Sequence, residues 1–203
     1  MRALVFVLTA LILGACAQTQ VASFVDPAYR GGAAIRSMVV VAETPRLGER
    51  EALESAAVAE LAARGVRAQR MIDLAPPTRP GGPAAEAAAI RAAGVRAVLR
   101  IAVDQRATVA RYIPPTYVGD PFFPYYGYGY GYYPGPFAGL TTDGRWVEEP
   151  TARYEATLQE AGGGTAIWKG EAVARGGSNS NFADLAARAA RDLVSRLQQD
   201  KVI

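Results

Sequence analysis

Histidine is absent from this chain of 203 residues, and Cys16 is its only cysteine. Histidine is the commonest general base in catalysis and the commonest metal ligand, so its absence removes the usual means to either. One thiol can form neither a disulfide within the chain nor a cysteine cluster around a metal. We therefore expect no metal site and no cofactor.

The sequence also lacks the motifs of catalysis and of nucleotide binding. Ser178 and Ser180 have no histidine to activate them, and they precede a predicted helix that they can cap. The alternating glycines of 127–131 lack the third glycine of a dinucleotide fingerprint, and the glycines of 162–164 lack the Lys-Ser/Thr pair of a phosphate loop. We therefore predict that the protein is not an enzyme.

Charge is dispersed along the chain. The net charge is +3, and the basic residues, nearly all of them arginines, are scattered among acidic ones. A protein that binds nucleic acid usually concentrates its basic residues in a block or on one face. We expect no nucleic-acid partner.

The first sixteen residues carry the most specific pattern in the chain. A positive charge at Arg2 precedes an apolar run, Ala3–Leu13, and the sequence Leu-Gly-Ala-Cys ends that run at Cys16. The run is too short to span a bilayer, which needs about 20 residues. Its charged start and small-residue end are typical of a cleaved export signal, the alternative being a buried N-terminal helix with a chance cysteine. The pattern resembles the lipobox of bacterial lipoproteins.

This resemblance implies that residues 1–15 are a signal peptide and that Cys16 is lipidated. It implies a diacylglyceryl group on the Cys16 sulfur and an acyl chain on the new amine, so this end of the protein has a membrane as its partner. Ala17 follows the cysteine, where an aspartate would retain the protein at the inner membrane. The resemblance therefore implies the outer membrane, on its periplasmic side.

Residues 16–35 are predicted to be a lipidated tether. They are mostly small and polar, and Asp26-Pro27 and Gly31-Gly32 disfavour regular structure. Residues 36–203 are predicted to form a single α/β domain on this tether, because their number suits one hydrophobic core.

Short apolar runs alternate with Ala- and Leu-rich segments in the first half of this domain. The predicted order is strand Met38–Val41, helix Glu49–Arg64, strand Val66–Leu74, helix Ala84–Ala93 and strand Ala97–Val103. An alternation of strand and helix is typical of βαβ units.

The second half changes to an antiparallel pattern. After a turn at Asp104–Gln105 we predict strands Arg106–Ile113, Ala152–Glu160 and Ala166–Arg175, then a helix capped by Ser180 or Asn181. The helix has an apolar stripe that predicts core packing. The fold class expected is α/β (α+β): a mixed sheet of about five or six strands with a βαβ start, an antiparallel meander and a C-terminal helix.

A Tyr/Gly-rich loop is predicted at residues 114–145. It contains seven of the ten tyrosines, namely Tyr117, Tyr125, Tyr126, Tyr128, Tyr130, Tyr132 and Tyr133. A loop of this length is usually functional or disordered. Three interpretations are open: a mobile excursion between two strands, an aromatic contact surface, and an extended edge whose bare backbone face favours self-association.

With these elements placed, the chain resembles an uncharacterised family of bacterial outer-membrane lipoproteins. The motifs that carry this resemblance are 61–65, 94–101, 166–172 and the terminal helix at 183–203. The element order is also distantly similar to the periplasmic domain of the curli-secretion lipoprotein. That protein needs two amphipathic membrane hairpins, and here the one candidate region is broken by proline and glycine, so we expect no pore.

The expected function is that of a non-catalytic cell-envelope lipoprotein, an assembly or interaction scaffold anchored to the outer membrane and facing the periplasm. Its expected partner is an envelope protein or a second copy of the chain. The alternative is a glycan-binding module that uses the tyrosines of the loop to stack on peptidoglycan or lipopolysaccharide sugars.

Overall fold

The computed structural model describes residues 19–79, 81–115, 117–118, 140–141 and 143–203. The chain divides into two compact units, residues 1–109 with 149–203, and residues 110–148. The strands are β1 (Thr19–Val25), β2 (Ser37–Glu43), β3 (Arg67–Arg70), β4 (Ala97–Ile113), β5 (Tyr117–Val118), β6 (Leu140–Thr141), β7 (Arg145–Glu160) and β8 (Ala166–Arg175). The helices are α1 (Leu47–Ala63), α2 (Met71–Leu74), α3 (Pro83–Ala93) and α4 (Phe182–Gln199).

Within the described residues, six strands form one mixed sheet in the order β1-β8-β7-β4-β2-β3. Strand β2 pairs in parallel with both β3 and β4, whereas β8 pairs antiparallel with both β1 and β7. The Ala161 amide donates to the Arg96 carbonyl at 3.0 Å, which places the end of β7 beside the start of β4. Strand β1 therefore runs antiparallel to β3, its counterpart on the far edge. The predicted mixed sheet with a βαβ start and a C-terminal helix is confirmed.

Helices cover the two faces of the sheet unequally. Side chains of β2 such as Val40 pack with α1 and α4 in the main core, which extends across the sheet from β2 to β8. The neighbouring Val39 points to the other face, where Met71 of α2 and Ile90 of α3 build a smaller core. In the described part of the chain, only the parallel strands thus have helices on both faces, as parallel strands require.

Local sequence signals account for the helix ends. Helix α3 starts with Pro83 in its first turn and ends at Gly94, which has the left-handed backbone (φ 59°) that closes a helix. The side chain of Asn181 accepts from the amide of Asp184, and the Asp184 carboxylate accepts from the amide of Asn181. This reciprocal capping box identifies Asn181 as the cap of α4, and the apolar stripe of that helix is buried in the core as predicted.

The structure corrects the prediction of a tether over residues 16–35. Residues 19–25 form β1, and β8 pairs with all seven of them. Ile35 is buried, and its amide donates to the Val202 carbonyl at 2.9 Å. Most of the segment that was expected to be a linker is therefore part of the folded body.

Further predictions are wrong in detail. The strand predicted over residues 66–74 ends at Arg70, because the chain turns into α2 there and the Ile72 amide donates to Glu54. The turn predicted at Asp104–Gln105 does not form, and β4 runs through it as one strand. The loop predicted at 114–145 ends where β7 begins, at Arg145, and β5 and β6 pair antiparallel within it.

Candidate interaction surface

The predicted site residues are mostly beyond the part of the chain that the structure describes. Cys16 and six of the seven tyrosines (Tyr125, Tyr126, Tyr128, Tyr130, Tyr132 and Tyr133) lie outside the described residues. The backbone of Tyr117 lies in β5, opposite Thr141 of β6. The lipidation of Cys16 and the roles of these tyrosines, in protein contact or in glycan stacking, stay predictions.

One end of the six-stranded sheet contains the described residue nearest to Cys16. Thr19 begins β1 opposite Ala174 of β8, which in turn is opposite Ala152 of β7. Because β2, β3 and β4 run antiparallel to β7, their carboxyl ends lie at this same end of the sheet. We call it the anchor end. In open α/β sheets the carboxyl ends of parallel strands are where binding sites usually form.

Strand β1 presents an unpaired backbone along one side. The Asp26 amide donates to the Ile167 carbonyl at 2.9 Å, and hydrogen bonding alternates along an antiparallel ladder. The backbone groups of Gln20, Ala22 and Phe24 therefore point to β8. Those of Thr19, Val21, Ser23 and Val25 point away from it, to the edge of the sheet. Among the described residues, no strand pairs with that side of β1.

A carboxylate at the end of α4 fixes β1 to the body. The Ser23 hydroxyl donates to Asp200 Oδ2 at 2.6 Å, and the indole N–H of Trp168 donates to the same oxygen at 2.8 Å. Arg196 donates to the Ser23 hydroxyl at 2.7 Å and lies 3.3 Å from the Asp200 carboxylate. Trp168 itself is 1 % exposed. The contacts of Ser23 with Asp200 and Arg196 thus hold β1 in one position on the body.

The opposite edge, β3, is built differently. The Arg67 amide donates to the Arg36 carbonyl at 2.9 Å, so the backbone groups of Arg67 and Gln69 point to β2. Those of Ala68 and Arg70 point outward. The Arg70 guanidinium is already engaged, because it donates to both carboxylate oxygens of Asp73 at 2.8 Å. This edge is short, and arginine stands at each of its ends.

A buried carboxylate on α1 fixes the β3 side. Glu54 is fully buried and accepts the amides of Ala42 at 3.1 Å and Ile72 at 2.8 Å. Arg50 donates to the same carboxylate at 3.2 Å, so the charge is paired as well as hydrogen-bonded. One side chain therefore joins α1 to the end of β2 and to the start of α2.

A second buried carboxylate, Glu49, lies near the start of α1. It accepts from Arg106 of β4 and from the Thr44 hydroxyl. Burial raises the pKa of the nearby Tyr154 above its ordinary range, and the Glu49 carboxylate raises it further. The phenol therefore stays neutral at ordinary pH. The Glu49 carboxylate thus joins the start of α1 to β4.

The anchor end also has an open cleft of about 540 Å³. The loop after α2 and the start of α3 line it, with Arg50, Arg79 and Glu86 as its charged residues. Arg50 is bound to Glu54, and Glu86 is bound to Arg100. Two of the three charged side chains in the cleft, Arg50 and Glu86, are therefore already paired with residues outside its lining.

In the unit formed by residues 110–148, an exposed aromatic pair stands on the strands. Trp146 is 71 % exposed and Tyr112 is 47 % exposed, and their ring centroids lie 5.3 Å apart. The sequence predicts an aromatic contact surface only in the Tyr/Gly loop. The signal that could have found this pair is one aromatic residue just before the loop and one just after it.

Among the described residues, no helix is long and apolar enough to cross a membrane. Within the same ranges, no group of three or more His, Cys, Asp or Glu side chains is placed to hold a metal ion.

Neither a family model nor a curated protein matches the chain. Several solved structures are similar to it. A PelC dodecamer with a point mutation, from Paraburkholderia phytofirmans, covers 89% of this chain and 99% of its own at 18% identity and a TM-score of 0.51. Another crystal form of that organism's PelC dodecamer covers 89% and 98% at 18% identity, with a TM-score of 0.49.

The lipoprotein GNA1162 from Neisseria meningitidis is also similar, at 17% identity over 80% of this chain and 98% of its own, with a TM-score of 0.43. The family suggested by the sequence motifs stays a prediction. The similarity at a TM-score of 0.51 shows that this chain has the fold of PelC, and at 18% identity it shows the fold alone.

Proposed function

We propose that this protein is a non-catalytic lipoprotein of the bacterial cell envelope, an assembly scaffold whose copies associate with one another on the periplasmic side of the outer membrane. Lipid on Cys16 holds the body to the membrane. The sheet presents its edges to neighbouring molecules.

The observation that carries this proposal is the short distance in sequence between Cys16 and β1. Only Ala17 and Gln18 separate the cysteine from Thr19, the first residue of the strand. Three residue steps span at most about 11 Å. A lipid on Cys16 would therefore hold the anchor end of the sheet close to the membrane surface. A long tether would leave the body free to turn; this spacing gives every copy a similar orientation.

Self-association is supported by two independent features. The solved structure that shares this fold at a TM-score of 0.51 is a dodecamer. In this chain, the seven-residue β1 has backbone groups directed away from its own sheet. A common orientation on a membrane favours pairing, because it confines the copies to one surface and aligns their edges.

The anchoring part is tested by labelling cells with radioactive palmitate. We expect the wild-type protein to carry the label and to sediment with outer-membrane vesicles on a sucrose gradient. Cys16→Ser should carry none. Ala17→Asp is the matched control for the choice of membrane: it should keep the label and move to the inner-membrane fraction. An unlabelled wild-type protein would contradict the proposal.

The assembly part is tested separately on the wild-type lipoprotein extracted in mild detergent. Native mass spectrometry should give a mass that is a multiple of the lipidated chain. A single-chain mass at every protein concentration would contradict self-association.

A further inference from the structure

Among the described residues, the free side of β1 lacks the features that usually prevent strand edges from pairing. Natural proteins protect an edge with charged side chains, proline, a bulge, a short strand or a covering element. Strand β1 contains no charged residue and no proline, and it has an unbroken register of seven pairs with β8. Three of its seven residues, Thr19, Val21 and Val25, are β-branched, and the backbone groups of these residues point outward.

Such an edge takes a β-strand as its occupant, because the outward N–H and C=O groups need hydrogen-bond partners spaced as in a strand. The proposed self-association limits the choice to strands of a second copy. The described part of the chain offers β1 and β3 at the two edges of the sheet. Three pairings are then available: β1 with β1, β3 with β3, and β1 with β3.

Two of these pairings conflict with charge or with anchoring. Pairing β3 with β3 would bring Arg67 and Arg70 of both copies together along a short ladder, and like charges across strands are destabilising. Antiparallel pairing of β1 with β1 would place the two Thr19 residues at opposite ends of the joined strands, about 20 Å apart. Each anchor lies within three residues of its Thr19, so the two lipids would start from opposite ends of the assembly.

Pairing β1 with β3 has neither problem. The two strands are antiparallel within one molecule, so a neighbour in the same orientation offers its β3 antiparallel to β1. Every Thr19 then stays at the same end of the assembly. The outward groups of Ala68 and Arg70 meet those of two residues of β1, which carry no like charge. The same contact can repeat from copy to copy, as in rings and filaments of identical subunits.

We infer that β1 of one copy pairs antiparallel with β3 of the next, joining their sheets edge to edge. This inference rests on the proposed self-association and names the interface that forms it. We take the register that places β3 opposite the middle of β1, in which Ala22 and Gln69 face each other on the same face of the joined sheet. Within one molecule Gln69 is level with residue 27 rather than with Ala22, so this register displaces each copy along the strands by about 15 Å relative to its neighbour. Val21 packs toward α4, so its neighbour Ala22 lies on the opposite face of the sheet. Gln69 lies on that face as well, because it pairs with Val39, which faces α2 and α3.

Proline at Val21 tests whether β1 is the interface. It removes an outward N–H and leaves the bonds to β8 in place. Val21→Ala is the matched control, because it removes the same side-chain packing and keeps the N–H. We expect native mass spectrometry of the detergent-extracted lipoprotein to give assemblies for wild type and Val21→Ala, and a single chain for Val21→Pro. Assemblies of equal mass in both variants would overturn the inference while leaving self-association intact.

Cross-linking in mixtures tests which strand occupies the edge. One batch of lipoprotein carries Ala22→Cys and the other carries Gln69→Cys, and a short bismaleimide joins thiols that lie close together. We expect a cross-linked dimer in the mixture and none in either batch alone; unmodified lipoprotein, in which Cys16 is acylated, controls for the native thiol. A dimer in the Ala22→Cys batch alone would overturn the inference in favour of β1 with β1. Failure to cross-link in an assembled mixture would overturn it as well.

Discussion

The two edge strands of the sheet are fixed from the inside by similar chemistry and differ in what they present outside. Just after β3, the fully buried Glu54 accepts the Ile72 amide, and Asp200, whose side chain is 14% exposed, accepts from Ser23 of β1. In both cases one carboxylate joins a helix to an edge strand or to the residues that follow it. The outer side of β3 is four residues long with arginine at each end, whereas β1 has seven uncharged residues.

This difference shows that internal stability and external protection are separate properties of an edge. An edge that is anchored from within but left unprotected is an ordered strand with open hydrogen-bond positions, which is what a specific partner strand requires. The arginines at the two ends of β3 disfavour its pairing with a second β3 and still allow it to receive an uncharged strand. The following changes test each side of this comparison.

Removing Glu54 should have the largest effect. Glu54→Ala leaves two buried amides and Arg50 without their acceptor, and we expect a loss of about 3–5 kcal/mol in the free energy of unfolding. Urea denaturation followed by circular dichroism measures this loss. Glu51→Ala is the matched control, because Glu51 is exposed on the same helix. Equal stability of the two variants would show that the β3 edge does not depend on the buried carboxylate.

Removing Asp200 should cost less and should affect the other edge. Asp200→Ala takes away the acceptor of both Ser23 and Trp168, and hydrogen bonds to a charged group contribute about 1.5–3 kcal/mol. We expect a loss of that size, with faster amide exchange in β1 than in β3. Asp192→Ala, on the same helix, is the control. Faster exchange in β3 alone would contradict the assignment of Asp200 to the β1 edge.

The smallest expected effect concerns the direction of the amides along β1. Changing Ala22 to proline removes an N–H that points to β8, so we expect a loss of about 1 kcal/mol or more in unfolding free energy. At the neighbouring residue, Val21, the matching comparison is between the Val21→Ala and Val21→Pro variants. The proline there removes an N–H that points outward, so it should change the stability of the single chain by less. Equal losses at the two positions would show that the alternation assigned to β1 is wrong.

Local signals in the sequence predicted the three longer helices and the strands β2 and β8 well. Gly94 and Asn181 end and begin helices at the places their types favour, and the apolar run that begins at Met38 is a buried strand. The stripe on α4 and the burial of Trp168 also follow from apolar spacing and size. These features depend on residues that are close together in the sequence.

The edge that matters most could not be predicted in this way. Strand β1 is short and partly polar, and its main contacts are with residues more than a hundred positions away, such as Asp200 and Trp168. The end of β3 at Arg70 likewise depends on Glu54, which accepts the Ile72 amide from 18 residues earlier in the chain. The alternation of Thr19, Val21 and Val25 was the available signal, and the breakers that follow it favoured a tether.

Amide hydrogen exchange along β1 in the membrane-bound assembly tests the central claim most directly. The amides of Gln20, Ala22 and Phe24 are bonded to β8, so they should exchange slowly in every folded form. If β1 pairs with a neighbouring copy, the amides of Val21 and Ser23 should exchange as slowly in the assembled wild-type lipoprotein, and the Ser23 amide should exchange rapidly in single-chain Val21→Pro. Rapid exchange at Val21 and Ser23 in the assembled wild type would contradict the account, because it would show that the edge stays open.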